Sequence, residues 1–177
     1  LESTGEDGML GMILDPGFQK NRWIYLYYSP RGGKHRSILA RYEWKDRLID
    51  MASEKILLEV PNQRESCCHL GGGMVFDSEG NLLLSTGDNT PNDPRGYSPL
   101  DERPGRDRFD SQRSSANTND LRGKILRLKP ENDGGYSIPQ GNLFAKDSGK
   151  VRPEIYTMGN RNPWRLSIDS KTGWLYW

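Results

Sequence analysis

Three times along its 177 residues this chain repeats one pattern: a short apolar run ending in Asp, a turn, and a second apolar run. The copies are GMILD at residues 11–15, a turn over 16–21 and WIYLY at 23–27; GMVFD at 73–77, the turn SEGN and LLLS at 82–85; and RLSID at 165–169, the turn SKTG and WLYW at 174–177. Apolar runs of four or five residues bounded by Asp, Gly, Asn and Pro predict hairpin strands rather than helices. A third strand follows the first two copies, SILARYEW at 37–44 and GKILRL at 123–128, and further strands are expected at 55–60 and 154–158. From Asp15 to Ile38 is 23 residues, whereas from Asp77 to Ile125 is 48, so the second unit carries an insertion, placed at about residues 90–117. Repeated multi-stranded antiparallel units predict an all-β fold of β-propeller blades. The alternative is a β-sandwich whose hairpins only resemble one another. On the propeller reading, residues 1–177 form one partial domain of about two blades plus the start of a third, and the chain reads as part of something longer.

Composition agrees with a turn-rich all-β chain: 20 Gly, 11 Pro, 5 Trp and 8 Tyr. Lys and Arg total 25 against 24 Asp and Glu, a net charge of +1, so no charge excess points to nucleic acid. No run approaches the 18 apolar residues of a membrane-spanning helix. Residue 1 is Leu and no basic-then-apolar leader follows, so a signal peptide is expected to be absent or already removed.

The densest chemistry lies in CCHLGGG at 67–73 and STGDN at 85–89. His69 lies just before one strand of the second hairpin and Asp88 just after its partner, so the hairpin brings them together. A carboxylate on one imidazole nitrogen fixes the tautomer and leaves the other as a proton acceptor; the alternative is a structural His capped at a strand end. The second stretch is MGNRNPWR at 158–165, which precedes the third copy as residues 67–73 precede the second, so both face one mouth. Arg161 suits negative charge developing on a carbonyl oxygen, and Asn162 suits a planar ligand. The alternative for Arg161 is a loop tie to backbone carbonyls. Cys67 and Cys68, the only cysteines, either form a vicinal disulfide in an oxidising compartment or stay as reduced core thiols. The insertion alternates Arg with Asp and Glu, which fits a solvated loop or a wall of a cleft. The oxygen-rich stretch 88–93 lacks the EF-hand pattern, and no metal is assigned to it.

Seven collinear motifs resemble the glucose/sorbosone dehydrogenase family: GEDGMLG (5–11), NRWIYLYYS (21–29), HLGG (69–72), STGD (85–88), GKILR (123–127), YSIPQGNLF (136–144) and GNRNPW (159–164). The resemblance implies a six-bladed β-propeller quinoprotein that uses pyrroloquinoline quinone (PQQ) to oxidise a sugar or related polyol hydroxyl, exported to the periplasm or secreted. It implies His69 as the general base, Asp88 as its orienting carboxylate, and Arg161 with Asn162 at the quinone oxygens. Glu6 falls where family members hold a polar residue near the sugar. Cys68 stands where glucose-oxidising members have an acidic sugar-binding residue, which departs from glucose-type recognition. The resemblance also implies a calcium ion with ligands beyond Trp177, and an electron acceptor such as a cytochrome c. Two other readings remain at this point: a non-catalytic β-propeller that binds a protein or glycan partner, and a calcium-dependent lactone hydrolase, which no acidic ligand cluster supports.

Overall fold

The computed structural model describes residues 1–177 apart from Ser3, Ser66, Pro94 and Asp147. The recurring Asp proves to be a turn-building carboxylate in all three copies. Asp15 Oδ1 accepts from the Gly17 amide and the Asn21 side chain, both at 2.7 Å. Asp77 Oδ1 accepts from the amides of Glu79 at 3.0 Å and Asn81 at 2.8 Å. Asp169 Oδ1 accepts from the amides of Lys171 at 2.7 Å and Thr172 at 3.2 Å. Such a side chain satisfies the amides that a tight reversal leaves without strand partners.

Each reversal joins antiparallel strands. The first sheet runs in the order β1 (Met9–Leu14), β2 (Trp23–Tyr28), β3 (Arg36–Lys45), β4 (Leu48–Pro61), with the one-turn helix α1 (Phe18–Asn21) between its first two strands. The second contains β5 (Met74–Phe76), β6 (Leu82–Thr86) and β7 (Lys124–Pro130), whose far edge is shared by β8 (Tyr136–Ser137) and β9 (Ile155–Met158). A final pair, β10 (Ser167–Ile168) and β11 (Leu175–Tyr176), begins a third unit. This is the all-β blade architecture of a propeller. Two details differ from the sequence reading. The strand expected at 55–60 starts at Leu48, because Asp46 and Arg47, at φ 51° and 67°, form a two-residue reversal directly after β3. The expected turn at 16–21 includes the helical turn α1.

Strand alternation decides where the core lies. Tyr25 and Tyr27 point from β2 into a cluster with Leu39, Leu58 and Val60, which meets Leu82, Leu84, Leu126, Leu128 and Ile155 of the second sheet. Ile24, Leu26 and Tyr28 occupy the opposite face with Ile38, Ala40 and Tyr42. Both faces of β2 are therefore apolar, as stacked blades require. Two glycines let the innermost strands approach: a Cβ on Gly11 would sit 2.0 Å from the Gly72 carbonyl oxygen, and one on Gly72 would sit 2.6 Å from that of Leu10. Arg41, 5% exposed, stacks 3.7 Å above the Trp23 ring and donates to the carbonyls of Glu131 at 2.7 Å and Asn132 at 3.1 Å, tying the first sheet to the loop after β7.

The insertion between β6 and β7 is a built segment. Its ordering rests on Asp101, 1% exposed, which accepts two bonds from Arg103 at 2.7 Å and one from Arg106 at 2.9 Å. Its return is fastened by Lys124, fully buried, whose ammonium donates to the carbonyls of Ser114, Ser115 and Arg122 at 2.8, 3.0 and 2.7 Å. Burial lowers the Lys124 pKa to about 8. No helix among the described residues is long and apolar enough to cross a membrane.

Candidate active site

The site is assembled where the ends of the second hairpin meet the segment after β9. Asp88 follows β6 and is 1% exposed. Its amide donates to the Arg161 carbonyl at 2.7 Å, and Asn89 donates its amide to the His69 carbonyl at 3.0 Å. A Cβ on Gly87 would stand 2.0 Å from the His69 oxygen and 2.7 Å from Asn162 Oδ1, so glycine is needed for these segments to close on one another.

One carboxylate then joins two cationic or ionisable groups. His69 Nδ1 lies 3.2 Å from Asp88 Oδ1, and Arg161 Nη1 lies 2.8 Å from Asp88 Oδ2. His69 Nδ1 is also 2.6 Å from the Thr90 carbonyl. Both neighbours of Nδ1 accept only, so this nitrogen carries the proton in the neutral ring and Nε2 holds the lone pair. Nε2 has no hydrogen-bond partner among the described residues. The hydrogen bond to Asp88 raises the His69 pKa above the usual 6.5, against burial and the nearby Arg161 charge, which push it down.

Arg161 Nη1 reaches the Thr90 carbonyl as well, at 3.2 Å, and Nη2 donates to Asn92 Oδ1 at 2.6 Å. Of the two readings for this residue, the tie to a backbone carbonyl is present; the Asp88 carboxylate is a further partner, and the side chain is still 35% exposed. Asn162 uses its Oδ1 to accept from the Gly71 amide at 3.1 Å, leaving Nδ2 without a partner among the described residues. Thr90, Asn89 and Asn92 were not singled out from sequence. Their signal lies in the polar DNTPN run at 88–92, in which Asn89 takes φ 55°, a conformation Asn tolerates.

Glu6 and Cys68 lie together on the wall of one cavity. Cys67 and Cys68 are joined as a vicinal disulfide. With Glu6, Gln63, Arg64 and Asn89 they line a cavity of about 230 Å³. Glu6 reaches the His69 and Leu70 amides rather than standing free in that cavity. Among the described residues, Glu6, Cys67 and Cys68 form the one grouping of three potential metal ligands, and the disulfide removes both thiolates from it. A second, shallower hollow of about 420 Å³ runs over Arg161, Asn162, Trp164 and Trp177.

Comparison with known proteins gives this arrangement a setting. The chain is 30% identical over 176 residues to the aldose sugar dehydrogenase YliI of Escherichia coli, with 97% of this chain matched to 40% of that protein. It superposes with a TM-score of 0.76 and 28% identity on an oxidoreductase (glucose dehydrogenase) of Thermus thermophilus, covering 99% of this chain and 45% of that one. It shares its fold with the PQQ-bound aldose sugar dehydrogenase of Streptomyces coelicolor, at TM-score 0.70 and 22% identity, covering 99% of this chain and 42% of that one. The chain thus spans less than half the length of these proteins. The model of the glucose/sorbosone dehydrogenase family matches residues 1–177, and the chain belongs to that family.

Proposed function

We propose that the complete protein is a PQQ-dependent dehydrogenase of a sugar or related polyol, in which His69 is the general base. The observation carrying this reading is the geometry at Nδ1: two acceptors, Asp88 and the Thr90 carbonyl, hold its proton and leave Nε2 basic beside a guanidinium bound to the same carboxylate. The donor set suits a planar quinone: Asn162 Nδ2 has no partner among the described residues, and Arg161, bound to the same carboxylate as the imidazole, is partly exposed. PQQ, when bound, supplies the hydride acceptor. Arg161 and Asn162 would hold it at its oxygens, and Arg161 offers positive charge where negative charge develops. His69 Nε2 takes the proton of the substrate hydroxyl, and Asp88 stabilises the resulting imidazolium. Arg161 also draws the His69 pKa downward, opposing Asp88 and favouring the basic form. The Cys67–Cys68 bond supports a periplasmic or secreted location, since such bonds persist in oxidising compartments.

The test is turnover of the complete protein with PQQ and calcium, an aldose and an artificial electron acceptor. Wild type reduces the acceptor, and His69→Ala lowers turnover by roughly 10²–10⁴-fold. Undiminished turnover in His69→Ala removes the assigned role, and a wild-type protein that oxidises no aldose or polyol overturns the reading.

A further inference from the structure

The segment carrying His69 takes a backbone path that the residue does not favour. His69 has φ 63° and is followed by Gly71 at φ 71° and Gly72 at φ 114°. A non-glycine residue in the left-handed region needs surroundings that hold it there. Here the amides of three successive residues are each held by a side chain from a distant part of the sequence. Glu6 Oε2 accepts from the His69 amide at 2.7 Å and from the Leu70 amide at 3.3 Å. Asn162 Oδ1 accepts from the Gly71 amide at 3.1 Å. Successive amides at a turn that includes a left-handed residue, as His69 is, form a concavity suited to an anion, and Glu6 supplies that anion to the 69 and 70 amides from within the chain.

We infer that Glu6 is a positioning residue: its carboxylate fixes the His69 backbone and so aims the imidazole at Asp88 and the Thr90 carbonyl. The role differs from sugar contact, because the Glu6 carboxylate is engaged by the main-chain amides of His69 and Leu70. It rests on His69 being the base, and it deepens that reading by naming what holds the base in place. The groups acting on the imidazole are the Asp88 carboxylate, the Thr90 carbonyl and the Arg161 guanidinium, and none of them replaces the bonds to the 69–70 amides.

Two variants separate aiming from substrate contact. Glu6→Gln keeps a carbonyl-type oxygen that accepts from both amides, whereas Glu6→Ala keeps nothing. In the complete protein with PQQ and calcium, Glu6→Ala should lower kcat on an aldose by roughly 10–100-fold, the scale of a misplaced catalytic group. KM should change little, and Glu6→Gln should restore most of kcat. The independent readout is the titration of His69 followed by NMR in protein without PQQ, with His35 as the internal reference. Glu6→Ala should bring the His69 midpoint back toward 6.5, and Glu6→Gln should leave it raised. The inference is overturned if both variants raise KM tenfold with kcat unchanged, which marks Glu6 as a sugar ligand. It is equally overturned if His69 titrates in Glu6→Ala as in wild type. A wild type that oxidises no sugar sinks the dehydrogenase reading alone, because the titration still decides whether Glu6 aims the ring.

Discussion

A single carboxylate governs the electrostatics of the candidate site. Asp88 lends Oδ1 to His69 and Oδ2 to Arg161, so the imidazole is pulled toward protonation by one neighbour and away from it by the other. The Asp88 bond prevails, and the His69 pKa lies above 6.5. The acid limb of kcat/KM against pH should therefore fall above 6.5, since the base must be unprotonated in the free enzyme. Removing the Asp88 charge reverses the balance. In Asp88→Asn, burial and Arg161 remain, so the limb should move to lower pH while the plateau drops; a limb that stays in place would show that His69 does not set it. The stability sign is opposite. A His whose folded pKa is raised adds stability that is fully present below 6.5 and is lost as pH rises through the folded value. The protein gives up this stabilisation over the same range in which the base becomes active. The nearness of His69 and Asp88 could be read from the sequence, because a hairpin with a four-residue turn must bring its open ends together. The Thr90 carbonyl and the Glu6 carboxylate could not. One is a main-chain atom without residue-specific signal, and the other arrives from 63 residues away.

Among the elements, the hairpins were the most legible, because the Asp that ends each apolar run is the atom-level cause of its turn. Strand β4 and the two-residue β8 were less so. The first half of β4 is a largely exposed extension paired with β3, lacking the regular apolar alternation that marks a half-buried strand. The insertion was legible in length alone. Its alternating charges suit solvent equally well, and only folding shows that Asp101 is buried under two guanidinium groups. The Arg103 guanidinium, followed by that of Arg106, holds the Asp101 carboxyl well below the usual carboxylate range. The depressed pKa means that this contribution is present above that range and lost as pH falls through the folded value. Asp101→Asn should loosen the insertion at neutral pH. The expected sign is faster tryptic cleavage after Arg95, Arg106 and Arg108, read by mass spectrometry, with the sheets still protected. Cleavage at the wild-type rate would show that the segment is ordered by other contacts. Because Asn92, at its root, binds Arg161, loosening it should also reach the site.

For the molecule as a whole, the main question is whether the blades are independent units or one cooperative body. The packing answers through the cluster they share. Leu84, fully buried on the middle of the second sheet, belongs to the same cluster as Tyr25, Tyr27 and Leu58 of the first. Burial of side chains of this size contributes about 1.5–3 kcal/mol each, and much of it exists only while both sheets are folded against one another. The Arg41 bonds to Glu131 and Asn132 add a polar tie across the same boundary. Leu84→Ala should therefore cost about 2–5 kcal/mol, the range for a buried leucine truncated where neighbours collapse only partly. The loss should appear in the first sheet as well as the second. Trp23 and Trp44 are both in the first sheet, so the measurement is urea unfolding of the complete protein followed by the fluorescence of these two tryptophans, with the others replaced by Phe. A midpoint lowered by the same amount as that of a far-ultraviolet circular dichroism probe indicates one cooperative unit. If the Trp23 and Trp44 transition keeps its wild-type midpoint while the circular dichroism transition shifts, the blades unfold separately and the shared cluster does not couple them.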